Sequence, residues 1–166
     1  MSKKPLTLVT ALATCFPLGQ MPKAPGTWGS LPGLGLGWLI YELSLVFQDA
    51  YPPWMTSTLV LFICSVFAFG GIDRTEKLWQ THDDKSIVID EVVGQALPLA
   101  FFPFSWELVI VGFLLFRLFD ITKPLFVGWA DKKVHGALGT LLDDLLAGLI
   151  VLAIFIVDYF WLGMMF

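Results

Sequence analysis

The sequence predicts an all-α protein: a polytopic membrane helical bundle of about four to five helices, one of them short or re-entrant. Three observations predict it. Hydrophobic residues make up 57% of the 166-residue chain and charged residues only 14%, against about 25% charged in an ordinary soluble domain. The polar surface needed to cover a water-soluble fold is therefore missing. The apolar residues fall into runs whose lengths approach the ~30 Å of a bilayer's hydrocarbon core, separated by short segments rich in Pro, Gly and charge. The ten Lys and Arg are confined to the N-terminal segment, the 73–91 connection and the 117–144 connection.

In chain order, residues 1–24 form an N-terminal interfacial segment. MSKKPLTLVTALATCF opens with a charged stretch and a short apolar one, and Leu12–Cys15 has the outline of a lipoprotein cleavage box. That box wants a small residue where Thr14 stands, and no small-x-small site follows before Pro17, Pro22 and Pro25. The segment is expected to remain in the mature protein as a short helix at the membrane surface. Pro25–Ser30 reads as a Gly/Pro loop leading into a first apolar run over about Leu31–Phe47. Pro52 and Pro53 end that helix, because proline has no amide to continue the ladder, and a second run covers Met55–Ile72.

A polar connection then leads to Val92–Phe102, too short to span unless its helix begins near Ser86. Pro103–Ser105 turns the chain into Trp106–Phe119, and the last run, Leu145–Phe166, is broken only by Asp158. The whole is read as one membrane-embedded domain. No cation falls in the 48–54 turn, the 103–105 turn or the C-terminus, so alternating crossings with the charged side cytoplasmic give five passes. Trp54, Trp106 and Trp161 then sit at the outer ends as interfacial anchors. A net charge of −4 without a basic cluster excludes nucleic acid as partner, and no segment implies a protein partner. Cys15 and Cys64 lack CxxC or metal spacing and read as buried thiols.

The same topology gathers the acids Asp73, Glu76, Asp83, Asp84, Asp90, Glu91, Asp120, Asp131, Asp143 and Asp144 at the inner edge. Carboxylates at the rim of an apolar bundle cost free energy unless something pairs with them. Asp90-Glu91 and Asp143-Asp144 each lead into an apolar run. Neighbours on a helix point about 100° apart, so one member of each pair can face inward and the other a neighbouring helix. A single pair is explained by the helix dipole. Two pairs plus Asp120 match a hard cation, Mg²⁺ above all, so the candidate metal ligands are Asp90, Glu91, Asp120, Asp143 and Asp144.

Arg117, Asp120 and Lys123 recur every three residues along one helical face. Arg117 and Lys123 are candidates for phosphate oxygens, while Lys132 and Lys133 serve as positive-inside anchors. His82 and His135 are either proton donors to a leaving alkoxide or hydrogen-bonded interfacial histidines. Gly26 and Thr27, just before the first crossing, offer backbone N–H groups to an anion, although Gly/Pro loops at membrane edges commonly bind nothing. The loop is not a phosphate loop of the G-K-[ST] kind. The sequence also lacks a cysteine followed after five residues by arginine, a D-x-D-x-[TV] motif, and the histidine-nucleophile motif of lipid phosphatases.

PGTWGSLPG (25–33), HDDKSIVIDEVVGQ (82–95), FRLFDITKP (116–124) and DKKVHGALGTLLDDLLAG (131–148) together resemble the phosphatidylglycerophosphatase A family. The four stretches occur in that family's order and cover the chain from about residue 22 to the last helix; Asp84 falls where the pattern is looser and is left out of the core site. The resemblance implies an integral protein of the bacterial inner membrane. It also implies Mg²⁺-dependent removal of the terminal phosphate of phosphatidylglycerophosphate, the phospholipid partner, with the site facing the cytoplasm. Direct attack by water and a covalent phospho-aspartate both fit. Two rival classes use the same acids: a small transporter or ion-coupled carrier, which places acids deep in its spans, and a non-catalytic protein binding anionic lipid.

Overall fold

A computed structural model describes residues 4–82 and 84–162, the last two by backbone alone. Lys3, Asp83 and the Trp161 side chain, each assigned above to one side of a membrane, lie outside the described residues. Every regular element among the described residues is helical: α1 (Leu8–Ala13), a 3₁₀ turn (Leu18–Gln20), α2 (Pro25–Val46), α3 (Pro53–Trp79), α4 (Ile89–Leu99), α5 (Trp106–Thr122), α6 (Leu125–Lys133), α7 (Ala137–Val157) and a π turn (Asp158–Leu162).

The helix ends follow local chemistry. Thr7 caps α1 and exchanges side-chain to backbone bonds with Thr10. Pro25 and Pro53 stand at the starts of α2 and α3, where a missing amide costs nothing. The expected loop Pro25–Ser30 is therefore the first turns of α2. Ser105 caps α5 by accepting from the Leu108 amide at 3.1 Å, and Gly136, at φ 70°, precedes α7.

Among the described residues two helices, α3 and α7 with its continuation to Phe160, are long and apolar enough to cross a membrane. The other expected passes differ. α5 has 17 residues, and α2 carries five glycines that dilute its apolar character. α4 has 11 residues, roughly 16 Å at 1.5 Å per residue, about half a bilayer's hydrocarbon core. Every residue from Val92 to Ala100 is buried, because α2, α3, α5 and α7 all pack against α4. Its apolar run reflects enclosure by protein on all sides. α4 is the hub of the molecule.

Small residues let the hub be approached closely. A Cβ on Gly33 of α2 would stand 2.5 Å from Val92 O. Where α4 crosses α7, a Cβ on Gly94 would meet Asp144 O at 2.7 Å, and one on Gly148 would meet Gly94 O at 2.3 Å. Asp90 precedes Gly94 by four residues and Asp144 precedes Gly148 by four, so each carboxylate lies one turn before the crossing. The backbone contact brings the two acids together.

Candidate active site

The three polar segments meet at one end of the bundle around a cleft of about 910 Å³. The start of α2 contributes Ala24 to Gly26, and the 82–91 connection contributes His82, Asp90 and Glu91. The end of α5 supplies Arg117, Asp120 and Lys123, while the α6–α7 corner supplies Asp131, His135, Asp143 and Asp144. The residues singled out from sequence thus share one cleft, with a single exception. Thr27 does not line it, and its amide already donates to Ala24 O at 3.0 Å within the first turn of α2. Gly26 lines the cleft through its lack of a side chain: a Cβ there would fall 2.1 Å from Glu91 Oε1.

Carboxylate oxygens of Asp90, Glu91 and Asp144 all lie within 4.8 Å of one another. Asp90 and Asp144 are buried. Asp90 Oδ1 and Glu91 Oε2 are buried with no hydrogen-bond partner, a costly arrangement for an acceptor unless a ligand completes it. Burial, and then the Asp144 charge, push Glu91 up to about 8. Burial and the Glu91 charge hold Asp90 well above the ordinary carboxylate range. Such a cluster needs a proton or a cation, and three hard oxygen donors on two rigid helices fit a divalent ion.

Asp120 and Asp143, expected among the ligands, are outside the three whose oxygens all meet within 4.8 Å. Each also faces a base, and Asp120 lies within side-chain hydrogen-bond reach of Asp144. Asp120 Oδ2 lies 2.5 Å from Arg117 Nη1, one helical step away on α5, and Arg117 also reaches Ser30 Oγ at 3.4 Å. Asp143 pairs with Lys123, whose ammonium is also 2.5 Å from Asp131 Oδ1. Lys123 does not continue the face shared by Arg117 and Asp120. It ends α5 at φ 46°, and that left-handed residue swings its side chain across to α6 and α7. Burial works against the Lys123 charge, but Asp131 and Asp143 outweigh it and hold the ammonium above its ordinary value.

His82 is exposed, with Nδ1 3.7 Å from Glu76 Oε2; His135 is also exposed and lines the cleft. Asp84, left out of the core, faces the cleft but is taken up by Lys4 and Ser86. Those bonds outweigh the effect of burial and hold its carboxyl below the ordinary value. The N-terminal segment braces this connection, since Val88 N donates to Ala13 O at 3.0 Å. Sequence reasoning missed Ser30, Gly94 and Gly148. A signal existed for the glycines in the repeated spacing of an acid four residues before glycine, Asp90 to Gly94 and Asp144 to Gly148.

The profile of phosphatidylglycerophosphatase A matches residues 11–158. The chain belongs to the phosphatidylglycerophosphatase A family. Its relatives include phosphatidylglycerophosphatase A of Escherichia coli K12, 34% identical over 90% of this chain and 83% of that protein. The Haemophilus influenzae Rd phosphatidylglycerophosphatase A is 35% identical over 95% and 93%. A Bacteroides thetaiotaomicron protein provisionally named a phosphatidylinositol-3-phosphatase is 37% identical over 88% and 90%. No solved structure matches the chain. Family membership makes the chain a phosphoric monoester hydrolase, and the four stretches that resembled phosphatidylglycerophosphatase A each deliver residues to the one cleft.

Proposed function

We propose that this phosphatidylglycerophosphatase A family member hydrolyses the terminal phosphomonoester of phosphatidylglycerophosphate, releasing phosphate and phosphatidylglycerol. In this reading Mg²⁺ is held by Asp90, Glu91 and Asp144, and the cleft opens to the cytoplasmic face of the bacterial inner membrane. One observation carries the proposal. Eight Asp and Glu line the cleft against three Lys and Arg, so the protein alone would repel a phosphomonoester. A divalent cation held by the acidic trio would offset two of those charges and offer the phosphate oxygens a positive centre.

A bound Mg²⁺ supplies Lewis-acid polarisation of a phosphoryl oxygen and a more acidic water. Arg117 and Lys123 present positive charge to the phosphate, and Asp120 and Asp143 hold those two cations in place through the pairs described above. His135 on the rim gives a proton to the departing glycerol oxygen, with His82 as the second donor. Large apolar side chains exposed on α3 and α5, such as Phe67 and Leu114, support a setting in lipid. The E. coli and H. influenzae relatives carry the activity in their names.

Purified protein in phospholipid vesicles should release phosphate from phosphatidylglycerophosphate in the presence of Mg²⁺. Release from phosphatidylinositol 3-phosphate in preference to phosphatidylglycerophosphate would replace this substrate with the one named for the Bacteroides relative.

A further inference from the structure

The exposed apolar side chains are not evenly placed with respect to the cleft. On α5, Ile110, Leu114, Leu118 and Ile121 are exposed at helical spacing, opposite the buried Leu108, Gly112 and Phe116. The charged residues of this stretch, Arg117 and Asp120, line the cleft, and the four exposed positions are all apolar. Ile121 belongs to both surfaces: it is 69% exposed and lines the acidic cleft. Beyond Lys123 the stripe continues onto α6, where Leu125 is 84% and Phe126 70% exposed. The exposed face of α3, by contrast, meets the Asp73–Lys77 ion pair before it reaches the cleft end.

Leu125 adds a second observation. It adopts φ 45°, a conformation that costs a residue with a Cβ about 1–2 kcal/mol. So exposed a leucine recovers nothing by packing within the chain. The basic residues Lys132 and Lys133 close the last turn of α6 and are exposed, which complements an anionic surface.

We propose that the α5 stripe and α6 are covered by acyl chains of an anionic phospholipid bilayer, α6 lying in the interface, and that a lipid substrate's chains lie along this stripe while its phosphate enters the cleft past Ile121. The substrate half of this proposal rests on the lipid phosphatase reading. Ile121 is the junction at which chain and headgroup part, and the stripe sets a preference for long acyl chains over short ones.

Two measurements on the full chain test it. In a Cys15→Ser/Cys64→Ser background, a fluorophore on Leu125→Cys is read in vesicles of phosphatidylethanolamine and phosphatidylglycerol. Quenching by lipids brominated along the acyl chain is expected; a probe that stays water-exposed when vesicles are added overturns the proposal. Phosphate release from long-chain and short-chain phosphatidylglycerophosphate is then compared for wild type and Leu118→Ser/Phe126→Ser. The long-to-short ratio of kcat/KM should fall about tenfold, as expected for two lost apolar contacts, and an unchanged ratio overturns the stripe's role. Wild-type protein that hydrolyses neither substrate refutes the phosphatase reading instead, while the quenching still decides what covers α6.

Discussion

Gly26 of α2 and Glu91 of α4 meet so closely that a Cβ on Gly26 would lie 2.1 Å from Glu91 Oε1 and 3.2 Å from Arg117 Nη1. The contact joins the first turn of one helix to the acidic trio on another. The displaced atoms are the tips of flexible side chains, so a methyl group there changes the site more than the fold. Gly26→Ala should keep or slightly raise the melting temperature, since alanine is favoured over glycine in a helix by up to about 1 kcal/mol. Phosphatase activity should fall by about tenfold or more, as expected when a supporting shell around a metal is disturbed. Parallel melting and activity assays check the two halves.

Lys123 bridges Asp131 and Asp143. Lys123→Ala leaves Asp143 buried without its cation. The expected loss is about 3 kcal/mol, the low end for a broken buried pair, because the Lys123 side chain is itself 31% exposed. Adding Asp143→Asn should restore part of that stability, giving a coupling of about 1–2 kcal/mol in a double-mutant cycle read by denaturant unfolding. Additive losses would mean that the pair contributes nothing.

Glu91 titrates at about 8 instead of its ordinary 4.5. Between those values the folded metal-free protein holds a proton that the unfolded chain has lost. The stability that this proton contributes without metal should therefore decline as pH rises from about 4.5 to about 8, and Asp90, also held above its ordinary range, adds to the decline. A divalent cation competes with that proton, so its affinity should rise through the same window. Melting curves across this range should show a Mg²⁺-induced gain that grows with pH; a gain that shrinks runs the other way.

At the α4–α7 crossing the obstacle is backbone. A Cβ on Gly148 would lie 2.3 Å from Gly94 O, so Gly148→Ala must push the helices apart. A loss of about 1–3 kcal/mol is expected, with weakened activity because Asp144 moves away from Asp90. Unchanged melting would show that the helices have room to adjust.

Much of this site was legible in the sequence, for an electrostatic reason. Charges do not sit in an apolar bundle without cause, so Asp90, Glu91, Arg117, Asp120, Lys123, Asp143 and Asp144 stood out against their neighbours, and all line the cleft. Which acids pair with bases was not legible. Asp120 and Asp143 look like Asp90 in one dimension, and only the left-handed turn at Lys123 brings its ammonium to Asp143. The apolar pattern of α4 likewise fits burial in protein and burial in lipid equally, so the count of crossings was open. Pro25 was read as a loop residue although proline is also a good first residue of a helix; that position began α2.

The central claim is that Asp90, Glu91 and Asp144 together hold a divalent cation. Binding of Mn²⁺ to the purified protein, followed by its electron paramagnetic resonance signal and displaced by Mg²⁺, tests it most directly. Wild type should bind Mn²⁺ and release it to Mg²⁺, and Asp144→Asn should weaken binding by about 10–100-fold. Equal affinity in wild type and Asp144→Asn would contradict the claim.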